Sequence, residues 1–277
     1  MNWRAIRAIV TKDWKVIRQS RSVILPMVLL PVIILVLLPG GMGLLLSNLP
    51  SDSPDLTNMT SDMQMFFNNM PPSIAAALDG LTTEAQKTAV LFLVYIFAPL
   101  YLILPIMVAS VVAADSFVGE KERKTLEALI YAPTSDRELY VAKMLLPWIL
   151  AVAVSVIGAS LYAIVVNVSL WPMMERVFFP NMTWVLLALW VSPAAAGLGL
   201  GAIVLVSSRA STFMEAQQTA GLVVIPIVVL MISQMAGIVY FGVEMVLVLG
   251  LILWLIDAVI LWYGARRFQR GELMARL

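Results

Sequence analysis

Long apolar runs alternate with short polar ones along almost the whole chain. Six windows, roughly 23–46, 88–114, 140–168, 183–207, 217–240 and 245–264, are apolar over enough residues to cross a hydrocarbon layer of about 30 Å as helices of about 20 residues. The pattern predicts an all-α polytopic membrane protein with six transmembrane helices, forming a single membrane domain over residues 1–277. A transmembrane β-barrel would show short segments of alternating hydrophobicity, and a cleaved leader would show a short apolar core before a small-residue site. Neither pattern is present.

The first 21 residues carry a different periodicity. At 100° per residue, Trp3, Ile6, Ile9, Val10, Trp14, Val16 and Ile17 share one half of a helical wheel, and Arg4, Arg7, Lys12, Lys15 and Arg18 take the other. Asp13 falls on the apolar half and spoils it. Such a helix is expected to lie along the inner membrane surface with its cations near anionic lipid, the alternative being a basic leader that only sets orientation.

A charged island, Asp115 to Lys143, separates the second and third apolar runs. Within it, Gly119 to Tyr131 has the spacing of a short helix, with Glu120 and Lys124, and Arg123 and Glu127, four apart and able to pair on its surface. Pro133 ends that helix, because the residue before a proline is biased away from helical geometry. Ser135-Asp-Arg-Glu138 has the form of a capping box, so a new helix starts there and runs into span three. Residues 115–139 are thus expected to be a short charged segment bracketed by two long spans. Held at both ends, such a segment passes displacement to the spans; the alternative is a solvated connector.

Composition and charge refine this picture. The chain is 61% hydrophobic and 13% charged, with a formal net charge of +1. Lys and Arg near span ends are retained on the cytoplasmic side, and 16 of the 18 lie in the segments that precede span one, join spans two and three, join spans four and five, or follow span six. Both termini are therefore expected in the cytoplasm and the loop 47–87, whose charges are mostly acidic, outside. Cysteine and histidine are absent, which excludes disulfides, thiolate or imidazole metal sites and His-assisted nucleophiles. There is no Gly-x-x-x-x-Gly-Lys-Ser/Thr loop, so no phosphate cradle is expected in the chain itself, and near-neutral charge gives no footprint for nucleic acid.

Within the spans, Asp257 is the notable ionisable residue. A carboxylate at mid-membrane costs on the order of 2.5–3.5 kcal/mol on insertion scales and often marks an ion or substrate path, although a structural role is preferred here. Gly197 and Gly201, four apart in span four, are expected to let another helix approach closely. Prolines 26, 31, 39, 99, 105, 147, 193 and 226 imply kinks whose freed carbonyls need other donors. Gln217, Gln218 and Thr219 before Pro226, and Ser233 and Gln234 after it, suggest a span five that is broken or lines an aqueous or head-group path, the alternative being hydrogen bonds to neighbouring helices.

The stretch Val111-Val-Ala-Ala-Asp-Ser-Phe-Val-Gly-Glu-Lys-Glu-Arg-Lys-Thr-Leu-Glu-Ala-Leu-Ile-Tyr-Ala-Pro-Thr-Ser-Asp-Arg-Glu-Leu139 resembles the signature of the type-2 ATP-binding-cassette permeases, the membrane subunits of bacterial exporters. The resemblance implies that Gly119, Glu120, Lys121, Glu122, Arg123, Thr125, Leu126 and Glu127 belong to a coupling helix that docks on a separate ATPase. Lys124 departs from the family, which often has glycine there. Ser208 to Gln218 resembles the family's second cytoplasmic contact, which carries Arg209, Glu215, Gln217 and Gln218. The family further implies two ATPase copies that bind ATP and Mg, a second permease chain that is identical or related, and an inner (cytoplasmic) membrane location. No cofactor is expected on the chain itself. Two other classes remain from the residues: a self-sufficient carrier or channel that uses Asp257, and an intramembrane enzyme. The second is the weaker, because no carboxylate pair and no nucleophile with an obvious base lies at matching depth.

Overall fold

The computed structural model describes residues 2–49, 53–54, 58–59, 61, 64–123, 134–207 and 209–267. The described elements are helices. Helix α1, Trp3–Ile17, is capped by Asn2, whose side chain accepts from the backbone N–H groups of Arg4 and Ala5. A short turn then leads into six helices long and apolar enough to cross a membrane: span one Arg21–Asn48, span two Glu84–Glu122, span three Asp136–Ser169, span four Met182–Ser207, span five Phe213–Met235 and span six Val243–Gly264. Their ends lie within a few residues of the apolar windows, except where helix continues into polar sequence. Span two starts at Glu84, inside the expected loop 47–87, because Thr83 and Gln86 form a capping box. It ends at Glu122, inside the charged island.

At 1.5 Å per residue, the 39 residues of span two and the 34 of span three would measure about 58 and 51 Å if straight, well beyond a hydrocarbon layer of about 30 Å. Both are rods that carry side chains past the membrane. Span three begins as the spacing predicts, with Ser135 accepting from the Glu138 N–H and Glu138 reaching back to the Ser135 N–H.

Spans two and four form the centre. In the most apolar stretch of each helix 72% and 56% of residues are buried, against 17–28% in the other four, so spans one, three, five and six wrap the pair and leave apolar faces outward. Among apolar tails, burial alone does not drive helices together, and close backbone approach takes its place. A Cβ at Gly199 would lie 2.4 Å from the Ile106 carbonyl oxygen, so span four touches the backbone of span two there. Ser110 ties the contact by donating to Ile106 and Gly199 oxygens at 2.7 and 3.3 Å. On the other face, Cβ atoms at Gly197 and Gly201 would meet Asp257 and Ile260 of span six at 2.2 and 2.7 Å. The pair four apart admits a neighbouring helix, as the spacing predicts.

Several spans contain a wide, π-helical turn: Ile33–Leu37, Leu91–Ile96, Asp115–Gly119 and Leu187–Val191. Pro39, Pro99 and Pro193 follow three of them within two or three residues, where a ring would collide with the carbonyl four residues back. In one of them the freed carbonyls find donors on three other spans. In Leu91–Ile96, Leu93 accepts from the Tyr162 hydroxyl, Val94 from the Trp184 indole at 2.6 Å, and Tyr95 from the Gln234 amide at 2.8 Å. Span five is interrupted at Gly221–Val224 by a 3-10 turn just before Pro226. The helix narrows there without ending, and Gln234, fully buried, is spent on an inter-helix bond, as the hydrogen-bonding alternative expects.

Between spans one and two, helices α2, Gln64–Asn69, and α3, Pro72–Leu78, fold back on the bundle. Phe66, Ile74, Leu78 and Leu81 join the main apolar core. The Phe66 ring meets Tyr240 edge-on at 4.8 Å, and the Tyr240 hydroxyl donates to the Phe66 carbonyl.

Candidate coupling site

Helix α1, the end of span two and the start of span three meet at the charged end of the bundle. Ile6 and Ile9 of α1 pack with Leu139 and Ala142 of span three in a small apolar cluster, and the Asn2 N–H donates to the Glu138 carboxylate. The stripe that α1 buries is Ile6, Ile9, Asp13 and Ile17, whereas Trp3 and Trp14 stay exposed. The amphipathic helix expected from the wheel is present, but its apolar face is divided between protein and surroundings. Asp13, an irregularity on the wheel, lies inside the protein contact.

Around Asp13 the three elements share charges. Asp13, Asp115, Glu120 and Lys143 are 2–4% exposed. Lys143 reaches down from span three and donates to the Ser116 carbonyl at 2.7 Å, to the Ser116 hydroxyl at 3.3 Å and to Glu120 Oε2 at 2.6 Å. It also lies 3.7 Å from Asp13 Oδ2, which accepts from the Ser116 hydroxyl at 3.1 Å. Lys12 pairs with Glu120 Oε1 and approaches Asp13 Oδ1 at 3.3 Å. Arg123 pairs with Asp115 at 2.9 Å. Three acids, Asp13, Asp115 and Glu120, thus face three cations, Lys12, Arg123 and Lys143. Burial works against the charge on Lys12, but Glu120 and Asp13 outweigh it and hold the amine above its ordinary value.

Local sequence explains how these groups converge. The π-helical turn Asp115–Gly119 leaves the Ser116 carbonyl free for Lys143. Gly119 lies directly beneath the Asp115–Arg123 pair: a Cβ there would come 3.0 Å from Asp115 Oδ1 and 3.2 Å from the guanidinium. A side chain would obstruct the pairing.

The residues attributed to the coupling helix divide at this point. Gly119 and Glu120 are buried, whereas Lys121 is half-buried and Glu122 and Arg123 are exposed. The Glu120 carboxylate is engaged by Lys143 and Lys12, and its expected pair with Lys124 falls on a residue outside the described ones. Lys124, Thr125, Leu126 and Glu127, with the expected pair of Arg123 and Glu127, lie outside the described residues.

The second contact stands beside the first. Thr212 caps span five by accepting from the Glu215 N–H, and Glu215 accepts in return from the Ser211 N–H and hydroxyl. The Phe213 N–H donates to Glu122 at 2.9 Å. One carboxylate at the end of span two therefore caps the start of span five. Arg209, Glu215 and Gln218 are exposed, and Gln217 is half-buried with its side-chain oxygen unpartnered among the described residues.

Asp257 is elsewhere, inside the bundle. It is 2% exposed, lies against Gly197, and neither carboxylate oxygen has a hydrogen-bond partner among the described residues.

Sequence reasoning missed Lys143 and Asp13 as site residues. Lys143 was counted with the charges that set orientation, and Asp13 as an exception. The available signal was that each carries a charge at a position whose neighbours on the helix are apolar.

Six apolar helices, four of them around a central pair, with charged helix ends gathered at one side, define a polytopic helical membrane protein with a built polar end. The match to a family is specific: the family model described as ABC-2 family transporter protein matches residues 7–255, and the chain belongs to that family. It is an ABC transporter permease, the transmembrane subunit, and the family implies partnership with an ABC ATPase in a membrane. No curated protein and no solved structure matches the chain.

Proposed function

We propose that this chain is the permease of an ATP-driven exporter, converting nucleotide-dependent movement of a separate ATPase into opening of a path between the spans. The charged end faces the cytoplasm, with both termini on that side and the segment between spans one and two outside. Two ATPase copies, which bind ATP and Mg, serve a pair of permease chains. Lys121, Glu122 and Arg123, continued by Thr125, Leu126 and Glu127, dock on the ATPase, and Arg209, Glu215, Gln217 and Gln218 supply the second contact. Gly119 and Glu120 hold that segment from behind.

The observation that carries this reading is the Glu122 to Phe213 hydrogen bond. It joins the two segments assigned to ATPase contact into one surface at the end of a continuous 39-residue helix. A push on that surface acts on spans two and five together. The test is Glu122→Ala and Glu127→Ala with the ATPase co-expressed. Association of the subunits should survive, while ATP hydrolysis no longer depends on the permease and export falls. Unchanged coupling in both variants contradicts the assignment.

A further inference from the structure

Burying three carboxylates and a lysine where α1 meets two spans is costly, since each ion loses hydration worth several kcal/mol that only close pairing restores. A connector that served only to start span one would need none of them. Two lysines make the ties that cross elements: Lys143 of span three binds Glu120 and Ser116 of span two and approaches Asp13 of α1, while Lys12 of α1 binds Glu120; Asp115 pairs with Arg123 at the end of its own span. The two segments that flank the docking surface, residues 120–123 and 134–138, are both tied to α1, the second through Glu138 and Asn2. Apolar contact between Ile6, Ile9, Leu139 and Ala142 completes the joint.

We infer that Lys143, Asp13 and Lys12 are positioning residues that bind α1, the end of span two and the start of span three into one rigid body, so that α1 moves with the docking surface during the ATPase cycle. This rests on the transport reading above and adds to it that α1 is a force-bearing lever on span one. The joint suits the task because its ties differ in kind. Apolar packing tolerates sliding, but the bonds of Lys143 to a carbonyl, a hydroxyl and a carboxylate fix both distance and direction. Displacement of Glu120 is then passed to Asp13 and Lys12, and along α1 to Arg21, where span one begins three residues after the helix ends.

The chain has no cysteine, so spin-label pairs can be placed without removing native thiols. Exposed Ala8 on α1, Arg137 at the start of span three and Ala77 at the opposite end are replaced by labelled cysteine in pairs. Labelled chain is diluted with unlabelled chain, and distances are read in the permease–ATPase complex with and without ATP trapped by vanadate. The expected result is an 8–137 distance that stays constant between states, while 8–77 and 137–77 shift together. Lys143→Met should abolish most of the 8–77 shift and broaden 8–137, with ATPase association and the 137–77 shift kept, and Lys143→Arg should restore the 8–77 shift. Should Lys143→Met not accumulate, Lys12→Met, at a side chain 43% exposed, gives the same direction with a smaller loss. A full 8–77 shift in the Met variants, or an 8–137 distance that changes with nucleotide in the parent, overturns the inference and leaves the transport reading standing. An ATPase that fails to associate with the parent chain overturns both.

Discussion

A single methyl group probes how closely the central helices meet. At Gly199 it would collide with the backbone of Ile106, which has no rotamer by which to retreat, whereas at Gly41 nothing lies within 4 Å. Gly199→Ala should therefore destabilise the detergent-solubilised chain by about 1–3 kcal/mol, the range for overpacking. Gly41→Ala, in a helix interior, should stabilise it by about 0.4–1 kcal/mol. Thermal unfolding of the two variants checks the contrast, and equal effects would contradict the close contact of spans two and four. Asp257 provides a second test at this scale. Its carboxyl is enclosed with no hydrogen-bond partner among the described residues, so Asp257→Asn removes an ionisable group from an apolar site while keeping the shape. The variant should melt higher than the parent and retain permease-dependent ATP hydrolysis. Loss of that hydrolysis with an unchanged melting temperature would place Asp257 on the transport path, as a carrier reading requires.

At the scale of elements, the wide turns are where one helix depends on another. The Tyr95 carbonyl, which Pro99 cannot serve, is bonded by Gln234 of span five across 2.8 Å. Removing one partner of a buried hydrogen bond leaves the other unsatisfied at a cost of about 1–3 kcal/mol. Gln234→Leu should cost that much in thermal unfolding. Ser233→Ala should cost less, since the exposed Ser233 hydroxyl bonds only within its own helix at Val229. The same elements show what is legible in sequence. Span positions are, because about 20 apolar residues can satisfy their backbone in lipid only as helix. Capping boxes at Ser135 and Thr83 are also local; the first was read and the second lay within a loop assignment. Two of the π-helical turns were not legible because their donors are far away in the chain: Tyr162, Trp184 and Gln234 for Leu91–Ile96, Lys143 for Asp115–Gly119. Asp13 looked like an error on its wheel for the same reason. A helical wheel records which residues share a face, and the partner that makes a buried carboxylate tolerable belongs to spans two and three.

For the whole molecule, the resemblance read from residues 111–139 and the family match over residues 7–255 agree on the class of protein. The charged end has the organisation that class needs. Two rods longer than the membrane is thick bracket the segment proposed to dock, and a carboxylate from one caps span five. Lys143 and Lys12, with Glu120 and Asp13, fasten α1 to both rods. The central claim is that this end receives an ATPase on the cytoplasmic side. It is tested most directly by single cysteines in the cysteine-free chain, Lys121→Cys at the charged end and Asp79→Cys between spans one and two, in spheroplasts carrying the ATPase. The account predicts that cysteine at 121 cross-links to the ATPase and resists a membrane-impermeant thiol reagent, while cysteine at 79 reacts with it from outside. Labelling of position 121 from outside, with no ATPase adduct, would contradict it.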